Sequence, residues 1–105
     1  MTKVTLYYAN WCGHCKTFKS TWNSLKPYFK KYNIEFKDYE ESVNSQIMQD
    51  NNINSFPTII IEKNGYKYEY KGDRNVDGLI KEIIPNIQLG GNRNIKKYKI
   101  YYKMY

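Results

Sequence analysis

The first part of the chain has the apolar pattern of a strand followed directly by a helix. The segment KVTLYY (3–8) is rich in β-branched and aromatic residues, which predicts a buried strand. A helix is predicted over about 13–32, because apolar residues recur there at helical spacing and form one face: Phe18, Trp22, Leu25 and Phe29. Pro27 is expected to kink or break this helix. We interpret the aromatic face as core packing rather than a cofactor-binding surface.

A second strand and a short helix follow. IEFKDY (34–39) alternates between apolar and polar residues and predicts a strand. Ser42 is a plausible N-cap for a helix over about 43–51, and this helix would turn three apolar side chains inward: Val43, Ile47 and Met48.

The next segment has the pattern of a β-hairpin, and a last helix follows it. Residues 58–62 form a β-branched run, Asn64-Gly65 is a strong turn signal, and 66–71 alternate as the partner strand. Gly72 ends the pattern. Asp73 or Asn75 can then cap a helix over 76–84 that stops at Pro85 and faces inward with Leu79, Ile80, Ile83 and Ile84.

The order βαβαββα predicts an α/β fold with a mixed sheet. Alternating strands and helices favour parallel strands joined by right-handed crossovers, and the hairpin adds an antiparallel edge. We therefore predict one domain over residues 1–85. Residues 86–105 form a separate extension, which is tyrosine-rich, carries five Lys or Arg and has no acid. Its alternation over 94–104 predicts an additional strand.

Composition limits the other possibilities. The chain has 105 residues, 41% of them hydrophobic, which is enough for one core that needs no disulfide. The beginning of the sequence lacks the shape of a secretory signal, and no apolar run is long enough to span a membrane. We therefore expect a soluble protein. The net charge of +7 and the twelve tyrosines are partly explained by A/T-rich codon usage, so they do not by themselves indicate nucleic-acid binding.

The only two cysteines lie two residues apart in ANWCGHCK (9–16), where the predicted strand ends and the helix begins. A helix N-terminus favours thiolate over thiol, and His14 and Lys16 add nearby positive or hydrogen-bonding groups. We therefore predict that Cys12 is an exposed nucleophile. Cys15, one turn further on, is expected to be shielded and to act as the resolving thiol.

Structural and metal-binding roles for this pair are less favoured. A disulfide closing a two-residue loop would remove little entropy from the unfolded chain. A zinc or iron–sulfur site needs about four ligands, whereas the chain has two Cys and one His. A metal site shared between two chains stays open, but we expect no metal and no cofactor.

Three segments carry a resemblance to a known family. YYANWCGHCK (7–16) looks like the active site of thioredoxin domains of the protein disulfide isomerase type. SFPT (55–58) resembles the cis-proline loop of the thioredoxin superfamily, and YKGDRNVDGLIKEI (70–83) resembles its last strand and helix. The likeness covers about residues 3–84 and implies a thioredoxin-like fold.

The resemblance also implies roles for individual residues. Cys12 would attack and Cys15 would resolve, with Trp11 flanking the site and Gly13 and His14 tuning it.

A second set of residues would lie opposite the cysteines. Pro57 would be cis, and its loop with Phe56 would offer backbone groups to an extended substrate segment. Arg74 would approach Cys15 and lower its pKa.

The sequence departs from the family pattern in three ways. Leu6 stands where relatives carry a buried acid that accepts the proton of the resolving thiol, so proton transfer must take another route. Ser20 replaces a kinking proline. The chain also starts at the strand that leads to the cysteines, so we expect the core to lack the first strand and helix of full thioredoxins.

The preferred function is a thiol–disulfide oxidoreductase that oxidises, reduces or reshuffles protein disulfides. The alternative is a redox-silent binding module whose basic extension docks nucleic acid or an acidic partner, with nucleic acid the less expected ligand. Without a signal peptide, we expect a cytoplasmic protein or a virion-associated protein of a large DNA virus.

The extension has a structural role in this interpretation. Because the first strand is missing, the strand at 34–39 would be an unprotected sheet edge. We expect residues 94–104 to cover it, either within the chain or across a homodimer.

Overall fold

The computed structural model describes residues 2–84, which contain four strands and three helices in the predicted order βαβαββα. The elements are β1 (Lys3–Tyr8), α1 (Gly13–Lys31), β2 (Glu35–Glu40), α2 (Ser45–Asp50), β3 (Thr58–Lys63), β4 (Tyr66–Glu69) and α3 (Val76–Ile83). The predicted thioredoxin-like α/β fold is confirmed. The predictions for the extension, including its strand, the boundary at residue 85 and a dimer, lie outside the described residues.

The four strands form one mixed sheet in the order β2-β1-β3-β4. β1 lies between a parallel β2 and an antiparallel β3, with Leu6 opposite Asp38 on one side and Ile59 on the other. β3 and β4 form the predicted hairpin, in which Asn64 and Gly65 both have positive φ, at 53° and 82°. Among the described strands β2 is at an edge, as expected.

The core lies between one face of this sheet and the helices α1 and α3. The predicted apolar face of α1 is buried, with Phe18, Trp22, Leu25 and Phe29 each at most 3% exposed. The indole of Trp22 packs against the rings of Phe29 and Phe36, with centroid distances of 5.4 and 6.3 Å. The interpretation of these aromatic residues as core packing is confirmed.

Pro27 does not break α1, so of the two effects expected of this residue the break does not occur. The helix continues to Lys31 with Pro27 inside it. Proline removes the hydrogen bond to the carbonyl four residues earlier, which here belongs to Asn23. Both residues are exposed, so water can satisfy that carbonyl. Buried residues on either side, Leu25 and Phe29, hold the helix against the core.

The start of α2 also differs from the prediction. Asn44 is at the N-cap position instead of Ser42, whose backbone N–H and hydroxyl both donate to the Glu40 carboxylate. The helix therefore begins two residues later, and Val43 is 79% exposed rather than inward. Met48 is buried as predicted, and Ile47 is half-buried.

The ends of α3 are fixed by side chains. Of the two candidate caps it is Asn75 that acts, because its Oδ1 accepts a hydrogen bond of 2.7 Å from the Gly78 N–H. At the other end Lys63 Nζ donates to the backbone carbonyls of Glu82 and Ile83, each at 3.1 Å. Burial lowers the pKa of Lys63 to about 8, against the opposing effect of the Glu82 charge. Ile84 follows the helix and packs at the rim of the core.

Candidate active site

The cysteine pair lies where β1 passes into α1. Cys12 is the N-cap residue of α1, and its Sγ accepts a hydrogen bond of 3.3 Å from the backbone N–H of Cys15. Because unpaired N–H groups point out of a helix N-terminus, the sulfur of Cys12 is in a position that stabilises negative charge. Both cysteines are free thiols in this structure.

The two thiols have opposite pKa shifts. The pKa of Cys12 is lowered mainly by the hydrogen bond from the Cys15 side chain. Burial opposes this effect, and hydrogen bonds from the backbone N–H groups of Cys15 and His14 lower the pKa further. Burial is the main cause that raises the pKa of Cys15 to about 11. Cys12 is therefore the thiol that loses its proton more easily, while Cys15 stays protonated at neutral pH.

The exposure of Cys12 is lower than predicted. The residue is 8% exposed and Cys15 is 5% exposed, so the expectation of an exposed nucleophile is wrong in degree. The physical reason is the loop before β3, which reaches the sulfur from a distant part of the chain. Phe56 packs against the cysteines, and its carbonyl oxygen lies 3.5 Å from Cys12 Sγ.

This loop contains the cis-proline that the resemblance implied. The peptide bond between Phe56 and Pro57 is cis. The loop is tied to β3 by the hydroxyl of Thr58, which donates to the carbonyl of Ser55 at 2.7 Å. Phe56 also contacts the indole of Trp11 edge-on, with a centroid distance of 5.9 Å.

The residues around Cys12 in sequence are open to solvent. Trp11 is 70% exposed, and its Nε1 donates to Glu41 Oε1 at 3.3 Å. Gly13 has open space where a Cβ would stand. His14 is exposed, and its backbone N–H helps to stabilise the Cys12 thiolate. The structure thus places Trp11, Gly13 and His14 around the sulfur, with an aromatic surface on one side.

Arg74 lies near the proline loop. Its side chain is exposed and lines a groove of about 270 Å³ together with Phe56, Pro57 and Tyr70. Its positive charge lowers the pKa of both cysteines, although it is the smallest of the causes. The predicted site residues are therefore brought together from three parts of the chain.

Glu40 is a site residue that the sequence interpretation missed. It is 8% exposed, and its Oε2 accepts from the backbone N–H of Asn10 at 3.1 Å while its Oε1 accepts from Ser42. Hydrogen bonds from Ser42 and Asn10 lower the pKa of this carboxyl. Glu40 thereby fixes the loop that leads to Cys12. The signal in the sequence was its position at the end of β2, since the carboxyl ends of neighbouring parallel strands meet at one edge.

The opposite pKa shifts predict different rates of alkylation. With iodoacetamide, Cys12 of the reduced protein should react with a pH midpoint below that of a free cysteine, about 8.5. Cys15 should react only as the pH approaches about 11, since thiolate is the reactive form. Peptide-level mass spectrometry after timed quenching measures both rates. Faster labelling of Cys15 at neutral pH would reverse the assignment.

Among residues 2–84 no three His, Cys, Asp or Glu side chains form a group that could hold a metal ion. No helix in this range combines the length and apolarity required to cross a lipid bilayer.

Fold and site together define a thioredoxin-like α/β domain with a Cys-x-x-Cys centre. The chain belongs to the thioredoxin family, whose sequence model matches residues 2–85. Protein disulfide-isomerase of Ricinus communis is 35% identical over 82 residues, which are 72% of this chain and 16% of that protein. The Drosophila melanogaster thioredoxin domain-containing protein 5 homolog is 32% identical over 78 residues, 70% of this chain and 19% of that protein. The matched part of this chain is thus similar to one domain of proteins named protein disulfide-isomerase.

Solved structures give the same fold. The first thioredoxin domain of mouse protein disulfide-isomerase A4 matches with a TM-score of 0.67 and 23% identity, over 87% of this chain and 74% of that chain. Fasciola hepatica thioredoxin matches with a TM-score of 0.64 and 22% identity, over 78% of this chain and 77% of that chain. The chain spans less than a fifth of the length of the two curated relatives described above.

Proposed function

We propose that this chain is a thiol–disulfide oxidoreductase that acts on protein disulfides through Cys12 and Cys15. The observation that carries the proposal is that Cys12 is the N-cap residue of α1 and its Sγ accepts a hydrogen bond of 3.3 Å from the Cys15 N–H. In agreement with this asymmetric placement, the pKa is lowered for Cys12 and raised to about 11 for Cys15. A structural pair of buried cysteines has no need of this asymmetry, whereas a nucleophile and a resolving thiol require it.

The reaction proceeds in two exchange steps. The Cys12 thiolate attacks one sulfur of the substrate disulfide, which forms a mixed disulfide and releases the other substrate sulfur as a thiolate. Cys15 then loses its proton and attacks Cys12 Sγ, which releases the second substrate sulfur and leaves the Cys12–Cys15 disulfide. The substrate is reduced by two electrons and the cysteine pair is oxidised by two. The reverse sequence oxidises a substrate dithiol.

The surface around Cys12 suits an extended polypeptide. Trp11 is exposed beside the sulfur, and the ring of Phe56 packs edge-on against the Trp11 indole. Pro57 follows Phe56 in the same loop. We assign to this loop the binding of a substrate segment by backbone hydrogen bonds next to the sulfur, as in strand addition. The relatives named protein disulfide-isomerase support protein substrates for this domain.

Insulin reduction by dithiothreitol tests the proposal. Wild-type protein should accelerate the appearance of turbidity, and Cys12→Ser should not, because no thiolate remains at the helix N-terminus. Lys30→Ala, an exposed position at the other end of α1, is the matched control and should retain full activity. Equal traces for wild type and Cys12→Ser would reject the oxidoreductase and leave the redox-silent binding module.

A further inference from the structure

A cavity of about 120 Å³ lies beside Cys15, between α1 and the strands β1 and β2. Water occupies roughly 30 Å³ per molecule in the liquid, so this cavity has room for several water molecules. Cys15 and Asp38 both line it, and so do Leu6, Tyr8, Lys19 and Lys26. The buried thiol thus shares one small cavity with a carboxylate.

Asp38 is held in a fixed position on β2. It is opposite Leu6 in the register of the two parallel strands, and its Oδ2 accepts a hydrogen bond of 2.9 Å from Trp22 Nε1. Asp38 also lines the cavity, so water in the cavity can reach it. The residue is also exposed on its outer side, at the edge of the sheet.

The resolving step requires that Cys15 lose a proton. Burial raises the pKa of this thiol to about 11, so it is protonated at neutral pH, and only a thiolate attacks a disulfide rapidly. Leu6, which lines the same cavity and is opposite Asp38 in the strand register, has no group that could accept a proton.

The geometry points to Asp38 as the proton acceptor for Cys15, and this inference rests on the oxidoreductase function proposed above. As the bond between Cys15 Sγ and Cys12 Sγ forms, the bond between Cys12 Sγ and the substrate sulfur breaks, and its electron pair leaves with the substrate thiolate. The proton of Cys15 moves through water in the cavity to the Asp38 carboxylate. From its exposed position Asp38 then returns the proton to solvent.

The other titratable groups of the cavity do not compete as bases. Lys19 and Lys26, from α1, carry ammonium groups, which donate hydrogen bonds and do not accept them, and Lys19 Nζ lies 5.4 Å from the centroid of the Tyr8 ring. Burial, with added repulsion from Asp38 and Glu40, raises the pKa of Tyr8, which therefore stays a neutral phenol. Asp38 is the one carboxylate among the residues described as lining this cavity.

Stopped-flow reaction with one equivalent of 5,5′-dithiobis(2-nitrobenzoate) separates the two steps. The first equivalent of coloured thiolate reports attack by Cys12, and the second reports attack by Cys15 on the mixed disulfide. Asp38→Asn keeps an oxygen that can accept from Trp22 but removes the base. We expect it to slow the second phase about 100-fold, the lower range for general base catalysis, and to leave the first phase within about twofold.

The pH dependence distinguishes a base from a structural residue. In wild type the second phase should change little between about pH 6 and 8, because proton transfer to the Asp38 carboxylate does not depend on the thiolate fraction that Cys15 has in solution. In Asp38→Asn it should rise about tenfold per pH unit with the thiolate fraction of Cys15. Asp38→Glu should restore most of the rate, and Asp50→Asn, an exposed carboxylate on α2, should behave as wild type.

Each outcome has one meaning. An unchanged second phase in Asp38→Asn, in rate and pH dependence, would overturn the role of Asp38 while the first phase still supports the oxidoreductase. Loss of the first phase in wild type would reject the proposed function itself. If Asp38→Asn does not fold, the wild-type profile decides, since a tenfold rise per pH unit there would exclude a carboxylate base.

Discussion

Cys15→Ser is expected to stop turnover and to trap substrate on Cys12 as a stable mixed disulfide. The first exchange step needs only the Cys12 thiolate, whereas release of the substrate needs a second sulfur next to it. Well-oriented intramolecular groups reach effective molarities of about 10⁵ M or more, so millimolar thiols in solution replace Cys15 only slowly. Insulin reduction should fall by at least about 100-fold, and mass spectrometry should detect the covalent adduct of the variant with an insulin chain.

Cys15→Ala tests in addition how Cys15 lowers the pKa of Cys12, because the hydrogen bond from the Cys15 side chain is the main cause of that lowering. Serine retains a donor at this position and alanine does not, while the backbone N–H at position 15 is present in both. Both variants should trap substrate, but Cys15→Ala should form the adduct more slowly at neutral pH and match Cys15→Ser as the pH rises. Full release of substrate by either variant would exclude Cys15 as the resolving thiol.

Local patterns in the sequence were sufficient for the element order and for the location of the cysteine pair. The helical spacing from Phe18 to Phe29 and the β-branched run of β3 depend on neighbours in sequence, so periodicity detects them. The position of Cys12 at a helix N-terminus follows from the strand that precedes it and the helix that follows. The structure therefore agrees with the sequence in the part of the site that is local.

The remaining features depend on contacts between distant residues. Cys12 is more buried than predicted because Phe56, 44 residues later, covers its sulfur. Glu40 and Asp38 belong to the site because β2 pairs with β1 in parallel, in a register that places Asp38 opposite Leu6. No pattern within either segment fixes that register.

The start of α2 shows how a competing interaction defeats a local rule. Ser42 has the side chain of a good N-cap, but its N–H and hydroxyl are used by Glu40, whose carboxylate also holds Asn10. The helix begins at Ser45 instead, and Val43 is left exposed. A residue that fixes the active-site loop thus also determines where the next helix starts.

Phe29→Ala is expected to have the largest effect on stability. Phe29 is fully buried near the end of α1, and its ring lies 5.4 Å from that of Trp22 and 5.2 Å from that of Phe36, centroid to centroid. Truncation leaves a cavity that a ring of large neighbours cannot fill, so the free energy of unfolding should fall by about 3–5 kcal/mol. This is a large part of the 5–15 kcal/mol typical of a whole domain.

Urea unfolding of the fully reduced protein measures this effect through the midpoint of the transition, with the slope unchanged if the native state stays compact. Lys30→Ala is the matched control, because it is the next residue in the same helix, is exposed, and exchanges one good helix former for another. It should change the free energy of unfolding by less than about 0.5 kcal/mol.

The same substitution should also affect the cavity beside Cys15, because Trp22, which packs on Phe29, holds Asp38 through Nε1. The second phase of the disulfide reaction should therefore slow in Phe29→Ala even under conditions in which the variant is folded. A loss of stability below about 1 kcal/mol would show that the cluster around Trp22 repacks. Packing at Phe29 would then not determine the position of Asp38.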